Sequence, residues 1–152
     1  QEAYLGGLLH DLGIILIDQY LHKRFCRIID TLTEETPLCQ VESGIFGFDH
    51  AAFGEHIATK WKLPEHLTKA IGYHHSPDTY QGPHREMVCT VSLADCLCQL
   101  KGFPPLGVRN TQLPAAQLFT ELGLGKEQVA LIVAQLDEIL EAAEEMAGFQ
   151  LW

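Results

Sequence analysis

Three features of the sequence predict an all-α fold. Apolar residues recur at three- and four-residue spacing along most of the 152 positions, as on the buried stripe of a helix. No stretch of five residues alternates strictly between apolar and polar, the mark of a half-buried strand. Glycine, proline and cap residues fall between the periodic stretches, where helices end.

Leu5, Leu8, Leu9 and Leu12 stand at i, i+3, i+4 and i+7, so residues 2–12 read as a first helix broken at Gly13. The pattern begins at once, with Gln at position 1 and no cap ahead of it. The expectation is the C-terminal portion of something longer, with a segment that packs on the first helix absent. Residues 14–33 carry one or two further helices. From Thr36 to Phe48, Pro37, Gly44 and Gly47 indicate a connection. Asp49 is placed to cap a helix over 50–61. Pro64 suits the first turn of a helix running to His74 or His75, and 76–84 is a loop by its Pro, Asp and Gly content.

A helix over 85–100 follows, ended by Gly102 and Pro104-Pro105. Pro114 opens a short helix to Leu122. Residues 126–147 form the last and longest helix, with Gly148 at a C′ position. Its apolar stripe is Val129, Ile132, Val133, Leu136, Ile139, Leu140 and Ala143, with Glu141, Glu144 and Glu145 towards water. The expectation is one all-α domain over 1–152.

Composition excludes several function classes. With 47% hydrophobic and 20% charged residues, the chain can build a core. Acidic residues outnumber basic ones 20 to 10, a net charge of −10, which argues against nucleic acid as a partner. No apolar run reaches the length of a membrane span, about 18 residues, and nothing reads as a signal peptide. Five cysteines, an odd number without CxxC spacing, suggest reduced thiols and a cytoplasmic protein.

The histidines carry the functional signal. His50 shares a helical face with Gly54, Ile57 and Trp61, and His74 follows Leu67, Ala70 and Ile71, so both point to the core. Asp95 lies between Val88 and Val91 on a nearly all-apolar helix, and a buried carboxylate must be paired, hydrogen-bonded or metal-bound. His10 and Asp11 sit away from the leucine stripe, beside Gly6 and Gly7, whose missing side chains suit close approach of an upstream segment. A lone core histidine is ordinarily a hydrogen-bonded structural residue, a lone buried Asp a helix-to-loop tie, and His74-His75 could be helix-terminal charges favoured by the dipole. Together, His10, Asp11, His50, His74, His75 and Asp95 point to one shared site for a divalent ion such as Zn, Fe or Mn, with nitrogen and oxygen donors and no thiolate. His22, His56, His66 and His84 read as surface residues, and Cys96 and Cys98 as core or near-core thiols.

The ordered set Gly7-Leu8-Leu9-His10-Asp11-Leu12-Gly13, Gly47-Phe48-Asp49-His50-Ala51, Trp61-Lys62-Leu63-Pro64, His74-His75 and Leu93-Ala94-Asp95 closely resembles the HDOD domain, a bacterial relative of the HD phosphohydrolase superfamily. The resemblance implies an HD-superfamily helical bundle in a bacterial signal-transduction protein, with other signalling domains or proteins as partners. In catalytic HD relatives, the matching residues bind one or two divalent metals whose hydroxide attacks a phosphate ester. The carry-over falls on His10, Asp11, His50, His74, His75 and Asp95. The family's earlier histidine lies upstream of the HD pair, so the resemblance implies weak or absent metal in this chain.

Two departures weigh against catalysis. Relatives of the HD-GYP type place Lys where this chain has Ile14, and a GYP-containing loop where it reads Ser76-Pro77-Asp78-Thr79-Tyr80-Gln81-Gly82-Pro83. The first expectation is therefore a regulatory module acting by domain or protein contact, with a vestigial or partial metal site. The alternative is a metal-dependent phosphohydrolase acting on a nucleotide or another phosphate ester.

Overall fold

The computed structural model describes residues 1–107 and 115–147, with side chains to residue 142. It contains helices α1 (Glu2–Leu9), α2 (Leu12–Thr31), α3 (Leu38–Phe46), α4 (His50–Lys60), α5 (Glu65–Tyr73), α6 (Arg85–Leu100), α7 (Ala116–Glu121) and α8 (Lys126–Ala147). Short 3-10 turns fall at Pro77–Thr79 and Pro105–Gly107, and the described residues contain no strand.

Two apolar clusters hold the helices together. Ile14, Ile17, Phe25 and Ile28 of α2 bury against Val41 of α3, with Leu38, Ile45, Phe46 and Phe53 packed around them. Ala58, Leu67, Ala70, Ile71, Val88, Cys89 and Val91 are buried where α4, α5 and α6 meet. Side chains like Ile17, Ile28 and Ile71, with no exposure at all, each contribute on the order of 1.5–3 kcal/mol by leaving water. Between the clusters, α2 and α4 approach to backbone contact. A Cβ on Gly13 would lie 1.9 Å from the carbonyl oxygen of His50, and one on Gly54 would meet Ile71 at 2.7 Å and the Gly13 nitrogen at 3.3 Å. These two glycines bring the start of α2 beside the start of α4, which places Asp11 next to His50.

Several sequence expectations are corrected. The first break comes at His10-Asp11, not at Gly13, which lies inside α2. The face of α1 is inverted: Gly6 is buried against Val91 and Met87, whereas Leu5 and Leu8 are exposed. The side of Gly6 assigned to an upstream segment is thus occupied by α6, and nothing lies within 4 Å of a Cβ at Gly7. The one or two helices expected over 14–33 are one, Leu12–Thr31, with a kink at Leu21. The supposed connection 36–48 contains α3, closed by Gly47 at φ 83°, a left-handed C-cap suited to glycine.

Asp49 caps α4 as expected, accepting the Ala52 N–H at 2.8 Å, but Trp61 is exposed. His22 and His56 are exposed, while His66 and His84 are half-buried with their rings edge-on at 5.9 Å. In α8 the stripe is only half-buried, with Ile139 exposed and Glu141 towards water. Pro114, Gly148 and the side chains of Ala143, Glu144 and Glu145 lie outside the described residues.

Candidate metal centre

Helix ends supply five of the six predicted residues. His10 and Asp11 form the corner between α1 and α2, His50 opens α4, and His74-His75 close α5. Asp95 comes from the middle of α6. The structure brings all six together. His50 Nε2 lies 3.0 Å from His75 Nε2 and 3.4 Å from Asp11 Oδ1. His74 Nε2 is 3.6 Å from the same oxygen. On the other side, His10 Nε2 stands 3.4 Å from Asp11 Oδ2 and 3.6 Å from Asp95 Oδ1.

The nitrogens aimed into the cluster are fixed by bonds made behind them. His10 Nδ1 pairs with the Gly7 carbonyl at 2.6 Å and His74 Nδ1 with the Ile71 carbonyl at 2.8 Å. A carbonyl only accepts, so each Nδ1 carries the proton and each Nε2 faces inward. His50 donates Nδ1–H to Glu42 Oε2 at 2.7 Å. His74 Nε2 is buried and has no hydrogen-bond partner. Asp95 is steadied by Gln99, whose amide donates at 2.8 Å.

Electrostatics make the cluster a cation trap. Burial alone would raise the Asp11 carboxyl, but His50 and His74 outweigh it and hold Asp11 well below the usual carboxylate range. Burial likewise opposes charge on His50, yet Asp11 and Glu42 push it up to about 10. His10 moves up, against its burial, through Asp95 and Asp11. His75 moves down, through desolvation first and then the neighbouring His74 and His50 imidazoles. Asp95 stays ionised despite burial because His10 and Gln99 favour its charge.

The spacing fits a metal ion. Two donors each about 2.1 Å from one ion stand about 3.0–3.4 Å apart at octahedral and tetrahedral angles. Most separations here fall at or just above that range and are too long for good hydrogen bonds. Asp11, His50, His74 and His75 form one donor group, and His10, His74 and Asp95 an adjoining one. Cys39, Glu42 and His50 form a third, but burial and the carboxylates of Asp49, Glu42 and Asp11 keep the Cys39 thiol protonated.

Two clefts reach the cluster. One, of about 350 Å³, is bounded by Pro37, Leu38 and Cys39 on one side and by His74, His75 and Asp95 on the other. The second, of about 240 Å³, reaches His10, Asp11 and Asp95. Among the described residues no Lys or Arg lines either cleft, and Ile14 is buried in the α2–α3 core.

Sequence reasoning missed Glu42, which lay in the supposed connection. A signal was present: Glu42 is the only charged residue between Glu35 and Asp49.

The HDOD domain profile matches residues 1–77, a span that includes all the cluster except Asp95. The chain belongs to the HDOD domain family. Two solved structures share the HDOD architecture. A protein of Marinobacter aquaeolei VT8 named for signal transduction aligns with 96% of this chain and 32% of its own, at 26% identity and TM-score 0.83. An HDOD domain protein of unknown function from Geobacter sulfurreducens aligns with 99% of this chain and 53% of its own, at 26% identity and TM-score 0.74. A curated, uncharacterized protein of Treponema pallidum (strain Nichols) is 24% identical over 95 residues, 62% of this HDOD chain. The chain spans 18% of that relative's length. Together these findings show an HDOD family chain with the fold of these solved structures. None of its described helices is long and apolar enough to cross a membrane.

Proposed function

We propose that this HDOD chain is a regulatory module that holds a divalent transition metal (Fe, Mn or Zn) and acts through contacts with other signalling domains or proteins. One observation carries the reading: a converged His/Asp donor set opens into clefts that no Lys or Arg among the described residues lines. Asp11, His50, His74 and His75 would hold the ion, with His10 and Asp95 beside them. The buried, unpartnered Nε2 of His74 supports this, because such an atom costs free energy unless something binds it. When bound, the ion supplies Lewis acidity and a fixed positive charge.

The chain's own residues favour structure over turnover. A phosphate ester would bring negative charge beside Asp11 and Asp95, with no guanidinium or ammonium among the described cleft residues to receive it. One charge-stabilising donor is typically worth ~10²–10³ in rate, and the net charge of −10 gives no general attraction for an anion. The donor set and the adjoining cleft favour the second reading, a metal-dependent phosphohydrolase acting on a nucleotide or another phosphate ester.

The test is metal analysis of the full-length protein together with an assay on a cyclic dinucleotide, supplied with Mn, Fe or Mg. Metal retained by the wild type and lost on His74→Ala, without turnover, is the expected result. Turnover near one per second (about a typical enzymatic rate), abolished by His10→Ala and Asp11→Ala, would replace this reading with the phosphohydrolase.

A further inference from the structure

The buried carboxylate of Glu42 lies behind the metal centre. Its side chain has no exposure. Oε2 accepts two hydrogen bonds, both from His50: the backbone N–H at 2.9 Å and Nδ1–H at 2.7 Å. Oε1 is buried and accepts none. A carboxylate in that position is costly, and its ion-pair partner is an imidazole that is itself fully buried.

We infer that Glu42 is the positioning residue of the metal centre, fixing the tautomer and direction of His50. The inference rests on the metal-binding reading above. With Nδ1–H committed to Glu42, His50 can present only Nε2 to Asp11 and His75. The backbone bond holds the first residue of α4 against α3, so ring and main chain are fixed by one oxygen. A carboxylate behind a ligating imidazole also raises its basicity, and losing such a partner typically costs ~10–100-fold in metal affinity. Pro37, Leu38 and Cys39 of the cleft wall lie one turn earlier on the same segment.

Two variants of the full-length protein separate positioning from mere folding. Glu42→Gln keeps an oxygen acceptor and loses the charge; Glu42→Met loses both acceptors at similar size. Co²⁺ is titrated by visible absorption, and the ¹⁵N signals of His50 are followed in metal-free protein as the pH is raised until the ring is neutral, where its tautomer can be read. We expect Glu42→Met to weaken Co²⁺ by ~10–100-fold and to free His50 Nδ1 of its fixed proton. Glu42→Gln should fall between it and the wild type in affinity while retaining the wild-type tautomer and melting temperature. Wild-type affinity in both variants, or an unchanged His50 tautomer in Glu42→Met, would overturn the inference. If Glu42→Met fails to fold, Co²⁺ affinity in Glu42→Gln decides: a fall at unchanged melting temperature supports positioning, and no fall overturns it. If the wild type takes up no Co²⁺, the metal reading falls, and the ¹⁵N comparison alone judges Glu42.

Discussion

At the histidine cluster, α2 and α4 meet with no room for a methyl group: an added Cβ at Gly13 would sit 1.9 Å from the His50 carbonyl oxygen. At the far end, α8 has a long apolar stripe of the same spacing, yet its side chains are only half-buried, and Leu131 and Ile139 are exposed. Lys101, just past α6, reaches Asp137 of α8 at 2.6 Å. Both regions are amphipathic, but only the first is locked by backbone approach. The difference teaches that periodicity reports helix formation, while close packing reports where geometry must be held. The histidine cluster lies in the locked region, where donor positions can be kept constant.

The largest expected effect tests that lock. Gly13→Ala forces α2 away from a backbone carbonyl that cannot rotate aside, so stability should fall by more than about 3 kcal/mol. Gly7→Ala is the matched control, since nothing lies within 4 Å of its added Cβ. That exposed helical position should gain about 0.5–1 kcal/mol. Urea denaturation of both variants reads the contrast. Equal effects would mean that the cluster is no more tightly packed than the surface of α1.

A smaller effect is expected at the entry to α4. Asp49→Ala removes the acceptor for the Ala52 N–H one residue before His50. A lost N-cap typically costs about 1 kcal/mol. The same denaturation experiment measures it, and a cost near zero would assign the start of α4 to Glu42 and the glycine contact alone.

Much of the site was legible because burial left a trace in the spacing. His50, His74 and Asp95 stand on apolar helical faces, and all three point into the cluster. The His10-Asp11 corner was not legible, because the glycine that looked like its cause sits two residues later. Gly13 is required by contact with His50, a long-range fact that no local pattern encodes. The face of α1 was misread for a related reason: Gly6 lets the helix approach Val91 and Met87, so the small residue is the buried one and the leucines turn outward. Helix α3 was hidden by Pro37 and Gly47. They looked like loop residues and are its two ends, which also concealed Glu42.

The smallest expected effect probes the looser region. Lys101 and Asp137 keep much of their side chains in water, and such pairs contribute about 0.2–1 kcal/mol after screening and lost side-chain freedom. Asp137→Ala should therefore leave the global urea midpoint almost unchanged. Its effect should appear in hydrogen exchange, where the α8 amides open locally without the rest of the fold. They should exchange faster in the variant by a factor of about 1.4–5, the kinetic equivalent of that free energy, with α4, α5 and α6 unaltered. The effect should shrink further in high salt, because exposed charges are screened over about 3 Å at 1 M. If the α4 and α6 amides accelerated together with those of α8, the last helix would belong to the same cooperative unit as the histidine cluster. The contrast between the two regions would then be one of exposure only, not of stability.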